Sequence, residues 1–151
     1  MMIITRAEAE HWCKTRSVAL SNRALPELPS AVKFPIPQDA GTRVALVAST
    51  MAEFRHAEEF LVWFDDWSVW PSGQRMQVFE KFRLGYGEAR AISAAPAHIF
   101  QAAEIEDATS FVTIGVLFLW DCYVLTKQGG KVVFFSLDEW GTAAEIGHHA
   151  A

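Results

Sequence analysis

Five carboxylates, Asp65, Asp66, Asp121, Asp138 and Glu139, stand beside aromatic residues at the expected ends of elements. Carboxylates gathered in that way can hold a hard cation or exchange a proton as an acid and base pair. Their spacing matches no local cation loop, because an EF-hand places its acidic ligands at short fixed intervals within one stretch. The same residue types also cap turns by accepting backbone N–H groups, and this plainer role carries the larger weight for each of them. His98, beside Ile99 and Phe100, reads as a packed, hydrogen-bonded core histidine, with proton transfer as the alternative. A pair of Cys122 with His98 fails as a nucleophile and base, because strand alternation buries the thiol and an apolar setting suppresses the thiolate. The chain has no G-x-S-x-G, C-x-x-C or H-E-x-x-H sequence, so the usual signs of serine hydrolases, thiol oxidoreductases and zinc proteases are missing. Gly85-Tyr-Gly87 lacks the third glycine of a phosphate loop and follows a helix instead of a strand. No cofactor or metal is implied, and the His148-His149 pair is too isolated to make a metal site.

Tryptophan is the unusual feature, with Trp12, Trp63, Trp67, Trp70, Trp120 and Trp140 in a chain of 151 residues. Trp67, Trp70 and Trp140 fall in segments that read as loops. Tryptophan combines a large apolar area with one N–H donor, which suits cores first and the central anchors of interfaces as the alternative. With 13 basic and 18 acidic residues the formal charge is −5, and no basic run is present, so a nucleic-acid footprint is missing; the acidic balance serves solubility first, with a basic protein partner as the alternative.

The elements that must position these residues are legible from pattern. Phe111-Val-Thr-Ile-Gly-Val-Leu-Phe-Leu-Trp120 is the most apolar stretch, too short for a membrane span, which needs about 20 residues. Glu104, Glu106 and Asp107 upstream suit a helix N-terminus, so residues 105–119 read as a central helix apolar on all sides. Gly115 weakens that helix by about 1 kcal/mol relative to alanine, which implies close approach of another backbone. Thr5-Arg-Ala-Glu8 has capping-box spacing and opens a helix over 6–16. Asp39 caps a helix over 40–53, with a strand at 43–48 as the alternative. A third helix runs from Ser72 or Gly73 to Leu84, with Met76, Phe79, Phe82 and Tyr86 inward. Residues 60–64 read as a strand. Runs 120–126 and 131–136 flank Lys127-Gln-Gly-Gly130 and read as a hairpin. Glu88 to Ile92 reads as a short strand, and 94–100 as a loop.

Prolines 26, 29, 35 and 37 make residues 25–37 an extended connector in which neither a helix nor a central strand can run. Pro26-Glu-Leu-Pro29 matches P-x-x-P, a weak pattern that fits a segment wrapped over the core better than a ligand of another domain. Residues 142–151 read as a flexible tail. The sum is one domain over 1–151, of α+β class, with a small, mainly antiparallel sheet and helices packed against it. Two cysteines in apolar segments and the lack of an export signal at Met1–Arg6 point to a reducing cytoplasm.

Trp67-Ser-Val-Trp-Pro-Ser72, Leu117-Phe-Leu-Trp-Asp121 and Ser136-Leu-Asp-Glu-Trp140 together resemble a set of small bacterial proteins of unassigned function, over roughly the C-terminal two-thirds of the chain. Those sequences carry histidine where Leu137 stands here. The resemblance implies a bacterial cytoplasmic domain and no particular activity.

The functional expectation is a non-enzymatic interaction domain, of the toxin-immunity kind, binding a basic protein through Asp65, Asp66, Trp67, Trp70, Asp121, Asp138, Glu139 and Trp140. One alternative is a small-ligand or metal-dependent enzyme using Asp65, Asp121, Asp138 or His98 in a pocket lined by Trp67 and Trp120. Another is a homodimeric or larger structural assembly.

Overall fold

Among the described residues of the computed structural model, aromatic and β-branched runs separated by capped helices build a seven-stranded, wholly antiparallel open sheet with four helices. The structure describes residues 1–15, 29–66, 73–127 and 130–146. In chain order the elements are β1 (Met2–Ile4), α1 (Arg6–Lys14), β2 (Val32–Pro35), α2 (Ala40–Ala52), β3 (Glu59–Asp66) and α3 (Gly73–Leu84). Then follow β4 (Ala97–Gln101), α4 (Ile105–Leu117), β5 (Asp121–Thr126), β6 (Val132–Phe135) and β7 (Trp140–Ala144). The strands lie side by side as β1-β4-β3-β5-β6-β7-β2. Residues of the P-x-x-P pattern before Pro29, the tip of the β5–β6 hairpin and the His148-His149 pair lie outside the described residues.

Both faces of the sheet are covered. Phe60, Val62, Phe64, Phe100, Cys122, Val124, Val133 and Phe135 form one core with Val47 and Met51 of α2, Phe79 of α3 and Phe111, Val112 and Val116 of α4. Leu61, Trp63, Ile99, Tyr123, Leu125, Val132 and Phe134 form a second core on the opposite face with Ala9, Trp12 and Cys13 of α1. Strand alternation alone leaves Asp121 and Tyr123 on a wet face. Instead Tyr123 is 3% exposed, and its ring lies 4.5 Å from that of Phe134.

The helix starts follow their caps. Thr5 Oγ1 accepts from the Glu8 N–H while the Glu8 carboxylate accepts from the Thr5 N–H at 2.7 Å, and Asp39 accepts from the N–H groups of Gly41 and Thr42. α2 is a helix across residues 43–48. Gly115 is explained by a side chain and not by a neighbouring backbone: a Cβ there would stand 2.5 Å from Cε1 of the fully buried Phe64 ring.

Other differences from the sequence pattern have local causes. Residues 94–100 are not a loop; Ala97–Gln101 is β4, pairing with both β1 and β3, and residues 88–92 hold no strand. Alternation gives no signal there because all of Ala97–Phe100 is buried. The connector at 25–37 contains the edge strand β2, and the supposed tail begins with β7, which β2 and β6 hold between them. Gly141 makes that possible, since the Phe34 ring occupies the space its Cβ would take.

The two sheet edges are blunted. The Ile36 N–H donates to the Glu139 carbonyl at 2.9 Å, so by the period of two Lys33 and Pro35 turn their backbone groups outward, and Pro35 has no N–H to offer. On the other edge β1 is three residues long, and Arg90 Nη2 donates to the Ile3 carbonyl at 2.9 Å. A lysine, a proline and a short strand are the usual protections against edge-to-edge pairing.

α4 ends in a Schellman motif: the Trp120 N–H donates to the Gly115 carbonyl at 3.0 Å and the Leu119 N–H to the Val116 carbonyl at 3.3 Å. The left-handed position is held by Leu119, at φ 58°, where glycine is usual. An L side chain there costs about 1–2 kcal/mol. Leu119→Gly is therefore expected to raise stability by up to about 1 kcal/mol after the added chain entropy of glycine and the loss of the half-buried leucine side chain are subtracted, read as an upward shift of the urea midpoint.

Candidate interaction surface

The antiparallel topology brings separate stretches to one end of the sheet. β3 finishes at Asp65 and Asp66, β5 starts at Asp121, and the turn from Ser136 to Glu139 joins β6 to β7. Asp66 is the register partner of Asp121, after a bulge between Phe64 and Asp66. The first turn of α2, from Asp39, lies at the same end, because Pro35 of β2 pairs with Trp140.

The 136–139 turn is held from several sides. Asp121, 7% exposed, accepts the Leu137 N–H on Oδ1 at 2.8 Å. The Ser136 hydroxyl accepts the Asp138 N–H at 3.2 Å, and the Ser136 N–H donates to the Trp140 carbonyl at 2.8 Å. Glu139 has left-handed backbone at φ 62° and forms an ion pair with Arg43, whose Nε also donates to the Pro37 carbonyl. Among the described residues Leu119 and Glu139 are the non-glycine positions with left-handed backbone, and both belong to this end. Strain of this kind persists only where surrounding structure over-determines the conformation, and it clusters at binding sites. Asp138 is exposed at the tip of the turn, with Leu137 half-buried behind it.

The carboxylates differ in their surroundings. Asp65 pairs with Arg6 Nη2 at 2.9 Å, and the same guanidinium lies 5.5 Å from the Trp63 ring centroid. Asp121 acts mainly within the fold, as an acceptor for the turn. Trp140 is half-buried and turned to the second face, 5.5 Å from Phe134 and with Lys33 Nζ 5.0 Å over its ring. Trp67 and Trp70 lie outside the described residues. Arg43 and Ser136 were missed by sequence reasoning. Arg43 reads there as an ordinary polar residue of an amphipathic helix, and its burial follows only from the packing of α2 beside the turn.

No family model, curated protein or solved structure matches the chain. The remaining observations are therefore internal to the molecule. His98 is packed in the core as its sequence setting suggests, fully buried among Phe64, Phe79 and Phe111, and Trp120, a pocket wall in the enzyme alternative, is 3% exposed and packs edge-on against Phe64 and Phe79. The expected hydrogen bonding of His98 is not found, since neither ring nitrogen makes a hydrogen bond of acceptable geometry. Among the described residues no three His, Cys, Asp or Glu side chains converge on a metal position, and no helix is long and apolar enough to cross a membrane.

At the opposite end of the sheet a groove of about 320 Å³ runs between the α2–β3 turn and the β5–β6 hairpin. Its charges compensate one another, Lys131 with Glu53 and Lys127 with Glu59. The acidic end also carries ion pairs, Asp65 with Arg6 and Glu139 with Arg43, and it presents the exposed side chain of Asp138 on a fixed turn.

Proposed function

We propose that this chain is a non-enzymatic protein-interaction domain, of the immunity-protein kind and cytoplasmic, which binds a basic protein through the acidic end of its sheet. The observation that carries this reading is the 136–139 turn, fixed by Asp121, Ser136 and Arg43 and displaying Asp138 at the end of the sheet where β3 finishes in Asp65 and Asp66. A pre-organised turn loses little conformational entropy on binding, and an acidic rim speeds encounter with a basic partner while resisting wrong ones. The formal charge of −5 acts in the same direction. The blunted edges disfavour assembly by strand addition, so side chains and not backbone ladders would carry recognition.

Capture from native lysate at low salt, followed by elution at high salt, tests the proposal. A stoichiometric basic protein is expected on the wild-type chain and not on a variant with Asp65, Asp66, Asp138 and Glu139 all changed to lysine. Equal capture by both chains would refute the assigned face.

A further inference from the structure

Beneath α3 the first core encloses two groups that an apolar interior ordinarily excludes. His98 lies on β4 with its ring 4.8 Å from Phe111, 5.7 Å from Phe64 and 6.2 Å from Phe79. Arg83, one helical turn after Phe79, is also fully buried: its Nη2 donates to the Ala95 carbonyl at 2.7 Å, while Nε and Nη1 have no partner. Buried polar groups without partners are costly, and a pair of them in one aromatic compartment is a point of stored instability.

The charged surroundings are few. From α3 comes Arg83, whose charge opposes protonation of His98, and from the segment after α3 comes Glu88, which favours it more weakly. Glu88 is itself held by Arg90 at 2.6 Å, which lowers its carboxyl to about 2. α4 contributes the Phe111 ring, and its Asp107 is engaged by the Tyr86 hydroxyl at 2.7 Å. β3 contributes Phe64 and the Val62 backbone, the latter a weak influence toward protonation, and β1 contributes the backbone of Ile3 opposite His98. Burial first, and Arg83 second, depress the histidine from 6.5 to about 3.

We propose that His98 and Arg83 form an acid-sensitive latch, in which protonation of His98 places two cations in one apolar compartment and releases α3 from the sheet. The sign is fixed by the depressed folded-state value. Stability from neutral His98 is fully present above 6.5 and is lost progressively as the pH falls toward 3. Between pH 7.5 and pH 5 the total population with His98 exposed rises about 30-fold relative to the closed form, for an open-state pKa near 6.5. Among the described residues the other histidines, His11 and His56, are exposed.

Amide hydrogen exchange of the whole chain at the two pH values, corrected for intrinsic rates, reads the latch. Amides of residues 75–84 are expected to open at lower free energy than those of β5 and β6, with an opening constant about 30-fold larger at pH 5. His98→Phe should abolish the rise, and His98→Leu serves if the phenylalanine variant does not fold. Arg83→Met should leave that rise nearly unchanged and make the opening constant level off at a higher pH below 5, because the closed form then takes up the proton more readily. A pH-independent opening of α3, a rise that persists without His98, or α3 and β5 exchanging as one unit would each overturn the latch; a levelling-off at the same pH in Arg83→Met as in the wild type would overturn the part given to Arg83.

Discussion

Phe111→Ala is expected to lower the unfolding free energy by about 3–5 kcal/mol, at the upper end of what a single side-chain truncation costs. The ring is fully buried on α4 and lies within 5.6 Å, centroid to centroid, of Phe79, Phe82, Tyr86, His98 and Phe100. These partners come from α3, the segment after it and β4, so collapse around the cavity requires three stretches to move together. Since domains of this size carry about 5–15 kcal/mol in all, the variant should sit near the edge of folding at 37 °C. Urea unfolding followed by tryptophan fluorescence checks it, with a lowered midpoint and an unchanged slope expected. Val78→Ala, on the exposed side of α3, is the matching control and should change stability by no more than about 0.5 kcal/mol.

Asp121→Ala is expected to cost about 1–3 kcal/mol for a different reason: it strips the acceptor from the Leu137 N–H and leaves a half-buried donor unmatched. Asp121→Asn keeps an acceptor oxygen and should cost less. The difference between the two variants, measured by urea unfolding together with exchange of the Leu137 amide, separates the acceptor role from the charge. Loss of that hydrogen bond would also release the turn that displays Asp138, so the alanine variant should bind a partner more weakly although residue 121 is 7% exposed.

The fold was legible wherever one signal dominated. The Thr5 and Asp39 caps, the apolar run of α4 and the β5–β6 hairpin each state their element in local sequence, and each is present in the structure. The class, α+β with an antiparallel sheet carrying helices, follows from those elements. β4 was hidden because a strand buried on both faces does not alternate, and Pro96 immediately before it reads as a loop signal. β2 and β7 were hidden because each draws its stability from the other and from β6, which no local pattern reveals. For the surface, the acidic residues could be named from their positions at element ends. Their gathering at one end depends on strand order, which brings Asp66 opposite Asp121 and the 136–139 turn to the same end of the sheet. The roles of Arg43 and Ser136, and the burial of His98 and Arg83 with several of their nitrogens unmatched, depend on packing that sequence does not print.

The measurement that bears most directly on the acidic end as a binding surface is calorimetric titration of the captured partner with wild-type chain and with the four-lysine variant, across a range of salt concentrations. Affinity that falls steeply with salt is expected for the wild type, and a loss of about 100-fold or more for the variant with its fold unchanged by circular dichroism. Equal affinities with equal salt dependence would contradict it and place recognition elsewhere on the molecule.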